Sequence, residues 1–182
     1  MSSLVAQAST IDTDFDEDNE AENQYLTFTL HDEIYALPIL TVKEIIEYSQ
    51  VTTVPMMPDF IRGVMNLRGL VVPVVDLAAR FDSGSTEIQR RTSVIIVEVA
   101  DAANNKQQDI GIMVDAVNEV IEVPPDQIEP PPPFGSGLRT DFIAGMARMH
   151  ERFLIVLAIE KVLSVVEMSQ VARTAVAAGA TQ

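Results

Sequence analysis

The feature that most constrains the fold is a succession of short apolar segments, each bounded by Gly, Pro, Asn or Asp. In the first of them, Leu26, Phe28 and Leu30 alternate with polar residues, which is typical of a half-buried strand. Many short strands separated by turn residues indicate a barrel or a sandwich. The pattern predicts ten strands: Tyr25–Leu30, Ile34–Leu37, Val51–Val54, Val64–Leu67, Leu70–Val75, Ser93–Val99, Ile110–Val114, Val117–Val123, Ile143–Met149 and Phe153–Leu157.

Helical signals are few. Thr41–Glu47 begins with Thr-x-x-Glu, the pattern of a capping box, and this predicts a short helix. Asp76 is expected to cap a helix over Leu77–Phe81, and Ile159–Leu163 is predicted to form another. The Ala-rich end, 168–182, leaves helix and frayed chain open. The chain is therefore predicted to be all-β with short helices.

A faint internal repeat divides the chain. Val42–Glu47 recurs 75 positions later as Val117–Glu122, and Ile61–Met65 recurs 82 positions later as Ile143–Ala147. Both motifs follow in the same order, which favours two copies of one β-unit over roughly 25–81 and 92–165. Two similar units in one chain leave a groove between them, and partners often bind in such clefts.

Charge and composition exclude several classes of function. The formal net charge is −15, which opposes binding to nucleic acid or to anionic membrane surfaces. Residues 1–24 hold seven of the acids and no Lys or Arg, so 1–23 is predicted to be a disordered acidic tail that folding does not require. No apolar run is long enough for a membrane helix, and no signal peptide is recognisable, so a cytoplasmic location is expected.

Catalytic and metal-binding patterns are weak throughout the sequence. The absence of Cys excludes thiol chemistry and Cys-ligated metals. The two histidines, His31 and His150, fall at predicted turns, where a catalytic base is not expected. Pairs of glutamates recur in both units (Glu44 with Glu47, Glu119 with Glu122), but nothing beside them would separate their pKa values as acid and base. We expect no catalytic residues, no metal and no cofactor.

One turn stands out, between two apolar segments. Asn66-Leu-Arg68-Gly69 is predicted to connect them, which places a guanidinium at the tip of a hairpin. Such a group can order nearby carboxylates or bind a partner, and it can equally form a surface ion pair of little energetic value. Periodicity alone leaves both interpretations open.

The residues around this turn resemble the CheW-type chemotaxis coupling proteins. The resemblance covers about Gln24 to Glu167, and its motifs follow one another in the order of the family. They are Val42–Ile45, Gly63–Leu77, Gly111–Val120, Ile128–Pro132, Ile143–Gly145 and Leu154–Glu160.

The resemblance implies two interlocked five-stranded SH3-like β-barrels in a domain over 24–167. It also implies a non-enzymatic adaptor that couples chemoreceptor signalling tips to the regulatory domain of the histidine kinase CheA, at membrane-associated receptor arrays. An adaptor of another chemosensory pathway, for surface motility or gene control, remains an alternative, and a hydrolase that uses the groove carboxylates is a weaker one. The matching receptor positions are Val42, Glu44, Gly63, Asn66, Leu67, Arg68, Gly69, Gly111 and Val120.

Two interpretations compete at Glu44. As the third residue of a helix begun at Thr41, it would complete the capping box. As a partner of Arg68 across the groove, its charge would matter, and the resemblance favours this interpretation because it brings both residues to one region. The sequence departs from the family at Ala158, where a polar cap is common, and at the turn His150–Arg152.

Overall fold

The short apolar segments form strands that build two sheets. The computed structural model describes residues 21–81, 83–101, 105–131 and 140–164, and these contain eleven strands and two short α-helices. The strands are β1 (Gln24–Leu30), β2 (Glu33–Pro38), β3 (Val42–Glu47), β4 (Ile61–Leu67), β5 (Leu70–Asp76), β6 (Ser93–Asp101), β7 (Lys106–Val114), β8 (Ala116–Glu122), β9 (Ile128–Glu129), β10 (Ile143–Met149) and β11 (Arg152–Leu157). The helices are α1 (Leu77–Arg80) and α2 (Ile159–Val162), and 3-10 turns occupy Ile39–Thr41, Pro125–Gln127 and Thr140–Phe142.

Each sheet closes on itself through a short connection. One sheet has the order β3-β6-β7-β5-β4, and a bridge between Thr52 and Val64 links the chain after β3 to β4. The other has the order β8-β1-β2-β11-β10-β9, and β9 follows β8 directly after a 3-10 turn. The edges of both sheets therefore meet, which gives two SH3-like barrels. We call them the first barrel (β3–β7) and the second barrel (β1, β2 and β8–β11).

The barrels are interlocked because each half of the chain gives a hairpin to the other. The hairpin β1–β2 begins the first half but lies in the second barrel, where β2 runs parallel to β11. The hairpin β6–β7 begins the second half but lies in the first barrel, where β7 runs parallel to β5. Neither barrel is complete without strands from both halves.

Irregularities of the strands recur at equivalent places in the two barrels. The register shifts between Ile61 and Gly63 in β4 and between Ile143 and Gly145 in β10, which are 82 positions apart. In β3 it shifts between Val42 and Glu44, and the pairing of β8 with β1 shifts at the corresponding point. The repeat in the sequence therefore corresponds to a repeat in three dimensions, including its β-bulges.

The largest core cluster contains side chains of both barrels. An aromatic chain crosses it, with ring centroids 5.9 Å apart for Phe28 and Tyr35, 5.7 Å for Tyr35 and Phe81, and 6.1 Å for Phe81 and Phe142. Burial and the neighbouring charge of Glu33 raise the pKa of Tyr35 to about 12, so the phenol is neutral at physiological pH. The two barrels thus share a core that fixes their relative position.

The predicted helix over Thr41–Glu47 is wrong, because Val42–Glu47 is strand β3. The hydroxyl of Thr41 donates to the carbonyl of Pro38 at 2.7 Å, so it closes a 3-10 turn and does not cap a helix. Inward-facing Val42, Glu44 and Ile46 alternate with exposed residues, which is the period of a strand. Thr41 and Glu44 therefore have the spacing of a capping box only by chance.

Other predictions had mixed outcomes. The predicted strand Val51–Val54 is reduced to the single bridge at Thr52, and β9 was not predicted. Asp76 does cap α1, and α2 forms without a side-chain cap at Ala158. The predictions for the acidic tail up to Glu20 and for 168–182 fall outside the described residues. Among the described residues, no helix has the length and apolar character needed to cross a membrane.

Candidate functional site

The turn between β4 and β5 is a tight two-residue turn with an unusual backbone. Leu67 pairs with Leu70, so Arg68 and Gly69 alone form the connection. Both have positive φ, 54° at Arg68 and 87° at Gly69. The side-chain oxygen Oδ1 of Asn66 accepts a hydrogen bond from the backbone N–H of Gly69 at 2.8 Å. The turn is thereby held by a side chain as well as by the strand pairing.

Arg68 and Glu44 form the ion pair that one interpretation of the sequence predicted. Nη2 of Arg68 lies 2.9 Å from Oε1 of Glu44, and the side chains are 78% and 28% exposed. Strand β3 carries Glu44 and the β4 hairpin carries Arg68, and these are the two edges of the five-stranded sheet. The pair therefore spans the line where the first barrel closes, and most of the guanidinium still faces solvent.

Exposed apolar side chains lie on the same strands and on the equivalent strand of the second barrel. On β3, Ile45 is 43% exposed, and just after the turn Leu70 and Val71 are 63% and 73% exposed. On the edge strand β8 of the second barrel, Val120 occupies the position equivalent to Ile45 and is 48% exposed. An exposed cation among exposed apolar groups is suited to protein recognition rather than to a reaction.

Three other predicted receptor positions are partly or fully buried: Val42, Gly63 and Gly111. Val42 is partly buried and packs against the main core. Gly63 and Gly111 are buried. A Cβ on Gly63 would collide with the carbonyl oxygen of Thr52, and one on Gly111 would lie 2.7 Å from a methyl group of Val94. These two predicted receptor positions therefore allow close packing inside the first barrel.

A second charged cluster beside Glu44 was missed. Nζ of Lys43 lies 3.0 Å from Oε2 of Glu98 and 3.0 Å from Oδ1 of Asp109. The hydrogen bond to Asp109, followed by the one to Glu98, raises the pKa of Lys43. The three residues come from β3, β6 and β7, and no local pattern in the sequence signals that these strands are neighbours.

The tip of the second barrel carries another exposed apolar feature. An open cavity of about 560 Å³ lies at the β10–β11 turn and includes Ile34, Met149, Phe153 and Leu154. Phe153 is 54% exposed, and the guanidinium of Arg148 stacks 5.6 Å from its ring centre. This surface is apolar with charged margins of both signs, Arg152 and Glu151.

No catalytic constellation is present in the part of the chain that the structure describes. His31 and His150 are exposed at turns, and Glu47, Glu119 and Glu122 are exposed on strands. The described residues contain no group of three or more potential metal ligands.

Comparisons with known proteins agree with this description. A family model, the CheW-like domain, matches residues 24–167. The chain is 41% identical to the chemotaxis protein CheW of Klebsiella aerogenes, over 81% of this chain and 86% of that protein. It is 30% identical to CheW of Treponema pallidum, over 85% and 89%. The crystal structure of the scaffolding protein TtCheW from Thermoanaerobacter tengcongensis superposes with a TM-score of 0.70 at 34% identity, over 78% of this chain and 88% of that one.

Proposed function

Because the chain belongs to the CheW-like domain family, we propose that it is a non-enzymatic adaptor that couples chemoreceptor signalling tips to the histidine kinase CheA. The two relatives named above are both called chemotaxis protein CheW, which supports this pathway over surface motility or gene control. The adaptor would work in the cytoplasm, at receptor arrays beside the membrane.

The receptor binds, in this proposal, on a surface formed by Glu44, Leu67, Arg68 and Gly69, with Ile45 and Val120 as apolar margins. We call it the receptor surface. The observation that carries the assignment is the Arg68–Glu44 pair, because a guanidinium that is 78% exposed retains donors for a second carboxylate. A receptor helix with an acidic and an apolar side would fit such a surface.

Replacement of Arg68 tests this assignment. Arg68→Ala should weaken binding to a receptor cytoplasmic fragment about tenfold or more, because interface arginines often contribute more than 1 kcal/mol. Receptor-dependent activation of CheA should fall with it, whereas the circular dichroism spectrum should not change. Arg90→Ala, at an exposed position of the connection before β6, is the matched control and should bind normally.

Two outcomes would contradict the assignment. If Arg68→Ala unfolds the protein, Arg68 is a structural residue. If the variant folds and activates the kinase normally, the receptor surface lies elsewhere.

The kinase would bind at the β10–β11 tip of the second barrel. This proposal is supported by the cavity there and by Phe153, whose ring is more than half exposed although it is apolar. Phe153→Ser should weaken binding to the CheA regulatory domain and leave receptor binding unchanged. Ile88→Ser is the control, because Ile88 is comparably exposed, at 48%, on the connection between α1 and β6. Equal losses from both variants would contradict this location.

A further inference from the structure

Arg68 occupies a backbone conformation that suits its residue type poorly. Its φ of 54° is in the left-handed region, which is sterically disfavoured for residues with a Cβ. Two-residue turns with positive φ at both central residues prefer Asn-Gly or Asp-Gly. Here Gly69 follows the rule and Arg68 does not. Met56 and His150 also have positive φ, so the conformation alone assigns no role; at Arg68 it coincides with an exposed guanidinium that pairs with Glu44.

Asn66 supplies the restraint that the turn sequence itself lacks. Its Oδ1 accepts from the N–H of Gly69, so the bond spans Leu67 and Arg68. If Arg68 rotated out of the left-handed region, the N–H of Gly69 would turn away from Asn66 and the pairing of Leu67 with Leu70 would be lost. The amide of Asn66 therefore holds the backbone of Arg68.

The equivalent turn of the second barrel has a different second residue and no side-chain amide. His150, the equivalent of Arg68, has a nearly identical φ of 53° in the two-residue turn between Met149 and Arg152. The equivalent of Asn66 is Arg148, which has no acceptor and whose guanidinium stacks on Phe153. Glu151, unlike Gly69, does not have positive φ, so the two turns share only a left-handed first residue.

We propose that Asn66 is a positioning residue: it contacts no partner, and it holds Arg68 left-handed so that the guanidinium reaches Glu44 and a bound receptor. This inference rests on the proposed receptor function. It assigns the amide of Asn66, which the sequence placed among the receptor contacts, to the support of Arg68. It also makes the backbone strain at Arg68 a cost of function.

Substitution by asparagine separates strain from function. Arg68→Asn should raise the melting temperature by about 2–4 °C, because Asn tolerates positive φ, and should weaken receptor binding about tenfold or more. His150→Asn is the matched control at the equivalent position and should raise the melting temperature without affecting receptor binding. A lower melting temperature for Arg68→Asn, with the control raised as expected, would overturn the strain argument.

The role of Asn66 itself is tested with two substitutions and two backgrounds. Asn66→Ala should weaken receptor binding several-fold, whereas Asn66→Asp keeps an acceptor for the N–H of Gly69 and should restore most of the affinity. In an Arg68→Gln background, Asn66→Ala should have no further effect on binding. An equal loss in both backgrounds would show that Asn66 contacts the receptor directly, and the proposal would be wrong.

A measurement on the free protein distinguishes failure of this inference from failure of the proposed function. Asn66→Ala should move the amide proton resonance of Gly69 upfield and broaden the Nε–H resonance of Arg68, whereas with Asn66→Asp the amide proton should stay downfield and the Nε–H resonance should stay sharp. If these resonances respond as expected but Arg68→Gln binds the receptor normally, the receptor surface is wrong and the restraint stands. If Asn66→Ala leaves both resonances unchanged, Asn66 does not position Arg68.

Discussion

The two barrels share their backbone design but differ in the side chains that complete it. A glycine follows the bulge in β4 and in β10, and each lies against the strand segment that closes its barrel, at Thr52 for Gly63 and at Ile128 for Gly145. The features that bend the strands are thus the same. The comparison shows that barrel closure is a backbone requirement, which either half of the chain meets with the same residue type.

Side chains at other equivalent positions have diverged. At the bulge that precedes Glu44, Lys43 bonds to Glu98, whereas the equivalent Asn118 exchanges hydrogen bonds with Thr29 at 3.0–3.2 Å. Ahead of the helix, buried Asp76 is replaced in the second barrel by Ala158. The first barrel therefore relies on charges where the second uses neutral groups, and the receptor surface lies almost entirely on the charged one.

The largest effect is expected from adding a methyl group to the closing glycines. Gly63→Ala should lower the free energy of unfolding by about 3–5 kcal/mol, since the methyl meets rigid backbone and the φ of Gly63 is positive. Gly145→Ala should lower it by about 1–3 kcal/mol, because a movable Ile128 methyl group is the nearest obstacle. Urea unfolding of both variants measures the difference. Equal losses would mean that the two closures are energetically alike.

The capping carboxylate gives the next largest contrast. Asp76 is 1% exposed, and its oxygens accept from the N–H groups of Ala78 and Ala79 and from both the N–H and the hydroxyl of Thr86. Nη1 of Arg62 lies 3.9 Å away. Asp76→Asn keeps the shape but turns one acceptor into a donor facing the N–H of Thr86, so a loss of about 2–3 kcal/mol is expected.

The reverse substitution in the second barrel completes this test. Ala158→Asp should supply the missing cap of α2 and add about 0.5–1 kcal/mol to the free energy of unfolding. Thermal unfolding tests whether Asp76→Asn lowers the free energy of unfolding and Ala158→Asp raises it. Destabilisation by Ala158→Asp would show that the second helix has no free N–H groups in reach of that position.

The local part of this molecule follows from its sequence, and the long-range part does not. The turns at His31, Arg68 and His150, the cap at Asp76 and the helix after Ala158 depend on neighbouring residues, and the sequence predicted them. Strand β3 was mistaken for a helix because its β character comes from pairing with β6, about fifty residues away. Strand β9 has two residues, too few to show a period.

In the candidate site, too, the local features were predicted from the sequence and the long-range ones were not. The turn from Asn66 to Gly69 was recognised from its residues, and the Arg68–Glu44 pair was one of two open interpretations. The resemblance grouped Gly111 with Arg68, and the sequence did not show that Gly111 is packed against Val94, because this contact joins two different strands. The exchange of hairpins between the barrels also has no local signal, since it joins strands from opposite halves of the chain.

A smaller effect on stability is expected from the ion pair at the receptor surface. A double-mutant cycle of Glu44→Gln and Arg68→Ala should give a coupling of about 0.5 kcal/mol in unfolding, because Arg68 is largely exposed and solvent screens the pair. Glu119→Gln and His150→Ala, at the equivalent positions, should be additive. A coupling in the second barrel as large as that in the first would show that the link belongs to the fold and not to the receptor surface.

The smallest effect concerns the bulge, and its sign follows from the raised pKa of Lys43. The ammonium gains hydrogen bonds to Asp109 and Glu98 on folding, so its stabilisation is fully present below the ordinary pKa of 10.5 and is lost as the pH rises through the raised value. Lys43→Gln should therefore destabilise the protein slightly at neutral pH and not at all in strong alkali or high salt. Asn118→Ala removes a hydrogen bond between neutral groups, so the loss of stability that it causes should depend on neither pH nor salt.

The neutral phenol of Tyr35 also titrates in this alkaline range. Every variant contains Tyr35, so its effect cancels when each variant is compared with the unmodified chain at the same pH. If the two losses depended on pH in the same way, the charge on Lys43 would not be what distinguishes the bulges of the two barrels.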